Sequence, residues 1–89
     1  MTPQEQYAGT IRNFIVDTFM YDLDASVLTG DFPLFEQGVV DSMGIFRLIT
    51  YLQETFDIMV DPEEVIIDNF GTLNAMTGLV MRHKGAVLA

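Results

Sequence analysis

The chain has 89 residues, of which 49% are apolar and 19% charged, with no cysteine and a formal net charge of −9 at neutral pH. That length allows one domain with one modest core, the composition excludes a disordered acidic tail, and the missing thiols exclude disulfides, thiolate metal sites and cysteine nucleophiles. An acidic surface repels nucleic acid, and no basic-then-apolar leader or ~20-residue apolar span is present, so a cytoplasmic protein without membrane insertion is expected.

From Gln4 to about Phe19, apolar residues fall at Tyr7, Ile11, Phe14, Ile15 and Phe19. Their spacing of threes and fours predicts a first helix with one buried face. Residues 20 to 41 lose the period and are punctuated by Asp22, Asp24, Gly30, Pro33 and Gly38. A connection this long is expected to be tied down, here by Leu23, Phe32, Leu34 and Phe35, and to carry function. Between Arg12 and Arg47 there is no Lys or Arg, while Asp17, Asp22, Asp24, Asp31, Glu36 and Asp41 all lie there. Such a surface is either a solubilising face or a landing site for basic partners.

A second helix is expected from about Ser42 to Thr55, with Ile45, Ile49, Leu52 and Phe56 on one side, Leu48 beside them, and Asp41 or Ser42 as N-cap. Phe56, Ile58 and Val60 alternate through a short extended connection. DPEE at 61–64 reads as the start of a short third helix, with Asp61 as cap, Pro62 at the first position and Glu64 closing a capping box. Thr72 should cap a fourth helix that points Leu73, Met76, Leu79 and Val80 inward. Its last turn holds Arg82, His83 and Lys84, read as solvated cations complementing the helix dipole, and Gly85 ends it. The expected fold is all-α, a four-helix bundle in one domain over residues 1–89 with an ordered core of about 4–84, a long loop after the first helix and a short third helix.

The stretch GVVDSMG, residues 38–44, suggests a nucleophile elbow, but Val40 stands where that motif needs glycine and the chain is too short for the sheet it requires. A serine triad would have to recruit His83, the one histidine, from a helix end. The Asp22, Asp24, Ser26 spacing resembles a calcium loop, yet Val27 replaces its turn glycine and Pro33 its final acid. One histidine and no cysteine also argue against zinc. No catalytic residue and no metal ligand is therefore assigned, and the protein is expected not to be an enzyme.

The run LFEQGVVDSMGIFRLITYLQETFDIMV, residues 34–60, resembles the phosphopantetheine-dependent carrier proteins. These include acyl carrier proteins, peptidyl carrier domains and D-alanyl carrier proteins. The matching positions are Asp41, Ser42, Met43, Leu48, Leu52, Phe56, Ile58 and Val60; DPEEV at 61–65 and FGTL at 70–73 extend the likeness, which covers about Tyr7 to Val80. The resemblance implies that Ser42 receives 4′-phosphopantetheine from coenzyme A through a phosphopantetheinyl transferase. It further implies a monomeric, non-catalytic shuttle that holds an acyl or aminoacyl thioester between an activating ligase and a downstream transferase or synthase. A helix N-terminus with free amides suits the resulting phosphodiester, and Gly44 would leave the first turn uncluttered. Asp41, Met43, Phe46 and Arg47 are expected to face partners, Phe46 being equally compatible with the core. Met43 and Gly44 depart from the fatty-acid type and bring the chain nearer to D-alanyl, aminoacyl or peptidyl carriers. The competing reading is an acidic helical interaction or regulatory protein that is never modified.

Overall fold

The computed structural model describes residues 2–20 and 25–85. Among them it contains four α-helices, α1 (Pro3–Phe19), α2 (Gly44–Phe56), α3 (Ile67–Phe70) and α4 (Leu73–Lys84), two 3-10 turns and no strand. Helix α1 starts one residue before the expected Gln4. Thr2 accepts a bond from the amide of Glu5, and Pro3 fills the first helical position, where its missing N–H costs nothing. Ile11 and Ile15 are fully buried. The aromatic residues of the same face form a half-buried flank, in which Phe14 stacks on Tyr51 with ring centroids 3.9 Å apart and Tyr7 meets Phe56 edge-on.

Helix α2 buries Gly44, Leu48, Leu52 and Phe56, every fourth residue. Ile45 and Ile49 are half-buried against that line, so the centre of the buried stripe runs through Leu48 rather than through the two isoleucines. Asp57 ends α2 in the left-handed conformation, and the Lys84 ammonium donates to the carbonyl of Phe56. The expected alternation holds beyond it: Phe56 and Val60 are buried and Ile58 half-buried, and the Gln53 carboxamide accepts from the amide of Val60. Helix α4 matches expectation most closely. Thr72 Oγ1 accepts from the Ala75 amide at 3.0 Å, Leu73, Met76, Leu79 and Val80 are buried, and Gly85 (φ 70°) closes the helix. Met81 and Thr77 are buried as well, the Thr77 hydroxyl donating to the carbonyl of Leu73. Helices α1 and α3 both pack against α4.

The expected third helix is divided. Pro62–Glu64 form only a 3-10 turn, and the four-residue α3 begins after an extended Ile66. Glu64 behaves as the sequence suggests, accepting the Asp61 amide at 3.0 Å while its own amide donates to the Asp61 carbonyl, but the turn goes no further. The β-branched run Val65, Ile66, Ile67 is a poor continuation of a helix, and Phe70, fully buried, is the residue that holds α3 to the core.

In the long connection, Leu34 is fully buried and Phe32 and Phe35 are half-buried, as expected, while Leu23 lies outside the described residues. Leu28 adds a further buried anchor. Two backbone bonds lace this segment to the start of α4 and the residues just before it: Leu34 N–H to the Gly71 carbonyl at 3.0 Å and Asn74 N–H to the Gly30 carbonyl at 2.8 Å. Gly38 then turns the chain with φ 74°, a conformation that favours glycine, and the amides of Val39 and Val40 both donate to the Leu34 carbonyl.

Candidate functional site

The loop delivers residues 40–44 to the head of α2 in a fixed pose. Val40 and Gly44 are buried, while Asp41, Ser42 and Met43 between them are exposed. Ser42 is thus exposed at the middle of a short span with a buried residue at each end. Helix α2 is regular from Gly44, two residues later than expected, yet the amide of Ile45 already donates to the Asp41 carbonyl at 3.1 Å. The cap is therefore Asp41. Its Oδ1 accepts the amides of Met43 and Gly44 at 3.1 and 2.8 Å, two of the donors a helix start leaves unpaired.

Two expectations are corrected here. The amides of the first turn are not all free for a phosphodiester at Ser42, because the Asp41 carboxylate holds two of them. Nor is Gly44 merely an open position. A methyl group there would sit 2.9 Å from Cε1 of Phe19 and 3.2 Å from Cγ1 of Val40, so the absent side chain is what lets the end of α1 close on the start of α2.

Around Ser42 the surface is apolar on two sides. Met43 and Phe46 are 75% and 64% exposed, which places Phe46 on the surface rather than in the core, and Arg47 is exposed beside them. Across from α2, an open groove of about 610 Å³ is lined by Ser42, Phe35, Ile45, Val65, Ile66, Ile67 and Asp68. Ile66 and Ile67, 47% and 66% exposed, complete the apolar rim. Sequence reasoning assigned no surface role to these two isoleucines. The available signal was that a helix this short, anchored by Phe70, has no second face on which to bury them. Met43 and Arg47 also line a smaller cleft with Asp41, Gly44, Phe19 and Val39, so the predicted site residues are gathered at one end of α2.

His83 is not among them. It is half-buried rather than solvated, and its Nε2 lies 2.7 Å from Oε1 of Glu64. The Glu64 carboxyl is held below its ordinary value, first by the Asp61 amide and then by His83 and Arg82, against an opposing contribution from burial. No group of three or more His, Cys, Asp or Glu side chains placed to hold a metal ion exists among the described residues; Asp22 and Asp24 of the calcium-like spacing lie outside them.

The arrangement is one exposed serine at a helix start with an apolar trough beside it. It has room to display an attached group, as in a helical carrier-type protein. The comparisons agree. Residues 10–80 match the family model described as "Phosphopantetheine attachment site", and the chain belongs to that family. It is 35% identical over 72 residues to the "Probable acyl carrier protein PigG" of Serratia sp., spanning 81% of this chain and 82% of that one. It is 40% identical over 76 residues to the "D-alanyl carrier protein" of Streptococcus sanguinis, spanning 85% and 92%. The fold matches the solved structure of KstB-PCP(apo) with a TM-score of 0.66 over 97% of this chain and 96% of the other, at 24% identity. Membership of this family identifies 4′-phosphopantetheine as the prosthetic group. The exposed Ser42 beside an open groove fits a long attached chain. No helix among the described residues is long and apolar enough to cross a membrane.

Proposed function

We propose that Ser42 is the attachment serine and that the protein is a non-catalytic shuttle, modified by a phosphopantetheinyl transferase and then loaded as a thioester by an activating ligase. The observation that carries this reading is the exposure of Ser42 between buried Val40 and Gly44, within the segment that matches the attachment-site family. When bound, the group supplies a thiol, which a chain without cysteine otherwise lacks. The chain's own residues do the remaining work. Asp41 fixes the turn that carries exposed Ser42, and Phe35, Ile45, Val65, Ile66 and Ile67 provide an apolar wall along which a flexible arm can lie. Asp41, Met43, Phe46 and Arg47 form the surface that a transferase, a ligase and a downstream transferase or synthase read in turn. Exposed apolar side chains with a cation beside them are what a transient protein interface requires.

The cargo we assign is an aminoacyl or short acyl group, in keeping with the D-alanyl carrier proteins and the probable acyl carrier protein among the relatives. The setting is a cytoplasmic, monomeric single-domain carrier. Incubation with coenzyme A, magnesium and a broad-specificity phosphopantetheinyl transferase, followed by intact-mass measurement, should add one phosphopantetheinyl group to the wild type and none to Ser42→Ala. An unchanged wild-type mass with several such transferases would reverse the reading in favour of an unmodified acidic interaction protein. Charging of the modified form by panels of aminoacyl and acyl ligases then names the cargo class.

A further inference from the structure

Ile66 and Ile67, which form the outer rim of the Ser42 groove, lie between two points at which their segment is clipped to the last turn of α4. On one side the Glu64 carboxylate meets His83 at 2.7 Å. On the other the Arg82 guanidinium donates to Oδ1 of Asn69 at 3.1 Å, while Nδ2 of Asn69 donates back to the Glu64 carbonyl at 2.9 Å. Fully buried Phe70 anchors the far end of this stretch in the core, and the clips fix the part before it, which has little regular structure of its own. Helix α3 has four residues and no side-chain cap at its start, and the turn before it has three. An element too short to be stable alone takes its pose from such tertiary ties.

We infer that the Glu64–His83 pair is a pH-responsive clamp that sets the pose of the Ile66–Ile67 rim beside Ser42. The two clips differ in kind. The Arg82 guanidinium keeps its charge at every working pH, whereas histidine is the side chain whose charge ordinarily changes between pH 5 and 8. A protonated imidazole gives an ion pair reinforced by a hydrogen bond; a neutral one keeps only the hydrogen bond, and the rim is held less tightly. The surroundings of His83 are mixed in sign. The segment facing it contributes Glu64, with Asp61 and Glu63 on the same turn. Its own helix contributes Arg82 and Lys84, Asp57 follows the Phe56 carbonyl capped by Lys84, and α1, packed along α4, carries Glu5, Arg12 and Asp17. Glu64 is the carboxylate in direct contact, and it also accepts the Asp61 amide, so loosening it loosens the turn that starts the segment.

The clamp regulates the site assigned under Proposed function and rests on that reading for its purpose, but its physical test does not. With isoleucine methyl groups labelled in the unmodified protein, the Ile66 and Ile67 resonances should shift together with the His83 ring protons across a pH series. In His83→Gln, which can keep a neutral hydrogen bond, they should stay at the wild-type high-pH position throughout, and in Glu64→Gln they should cease to follow the ring. Resonances that do not move in the wild type, or that titrate unchanged in His83→Gln, overturn the clamp even if Ser42 is modified normally. In phosphopantetheinyl transfer, which tests the purpose, Glu64→Gln should raise KM roughly threefold with kcat unchanged, because a smaller fraction of the protein holds the docking pose. An unchanged KM removes the clamp from partner recognition.

Discussion

Two segments of this molecule begin in the same way and end differently. Asp41 and Asp61 each open a turn with an acid, and each start contains amides bonded to a carboxylate, from Asp41 itself in one case and from Glu64 in the other. The first leads into thirteen residues of regular helix; the second stops after a three-residue 3-10 turn. The cap therefore decides where a helix starts and not how far it runs. Beyond Asp41 lies a buried line of Gly44, Leu48, Leu52 and Phe56, so each added turn buries another side chain. Beyond Glu64 lie Val65, Ile66 and Ile67, of which two are exposed and none is fully buried. Helices in proteins are stabilised mostly by packing an apolar face, and the second segment has no such face to extend.

If the buried stripe rather than the cap sustains α2, truncating the stripe must cost most. Leu52 is fully buried in its middle, and Leu52→Ala should destabilise the protein by about 2–5 kcal/mol in urea unfolding monitored by circular dichroism, from lost burial and the cavity left behind. Removing the cap should cost less. Asp41→Ala deprives the Met43 and Gly44 amides of their acceptor and should destabilise by about 1 kcal/mol in the same assay. A larger loss from Asp41→Ala than from Leu52→Ala would overturn the comparison.

The same contrast separates the features legible in the chain from those that were not. Features set by neighbours in sequence were legible: Asp41 as one of two candidate caps for α2, the cap at Thr72, the stop at Gly85, the period of α1, α2 and α4, and the serine on which the family likeness turns. Features set by segments distant in sequence were not. The need for glycine at position 44 comes from Phe19, twenty-five positions earlier, and the partner of His83 is Glu64, nineteen positions earlier. Exposure of Ile66 and Ile67 depends on where Phe70 enters the core, which no local period encodes. In the candidate site, the motif draws attention to Asp41 and Ser42 at a helix start, whereas the groove needed the docked 61–70 segment to exist at all.

The smallest effect probes the second start directly. The carboxyl of Glu64 is held below its ordinary value of 4.5, mainly by the Asp61 amide, with His83 and Arg82 adding to it. A carboxyl whose folded-state pKa is depressed binds its proton more readily in the unfolded chain. Its stabilising contribution is therefore fully present above the ordinary value and is lost as pH falls through the lower folded one. Glu64→Gln lacks this titration, so the stability gap between wild type and variant should narrow as pH falls below about 4.5. Unfolding midpoints measured in urea from pH 3 to 7 check it. Because the same oxygen accepts both the Asp61 amide and the His83 ring, the absence of any gap at neutral pH would mean that the turn at 61–64 is held by its packing alone. It would then join α2 as an element sustained by buried surface, and the contrast between the two starts would lose its second half.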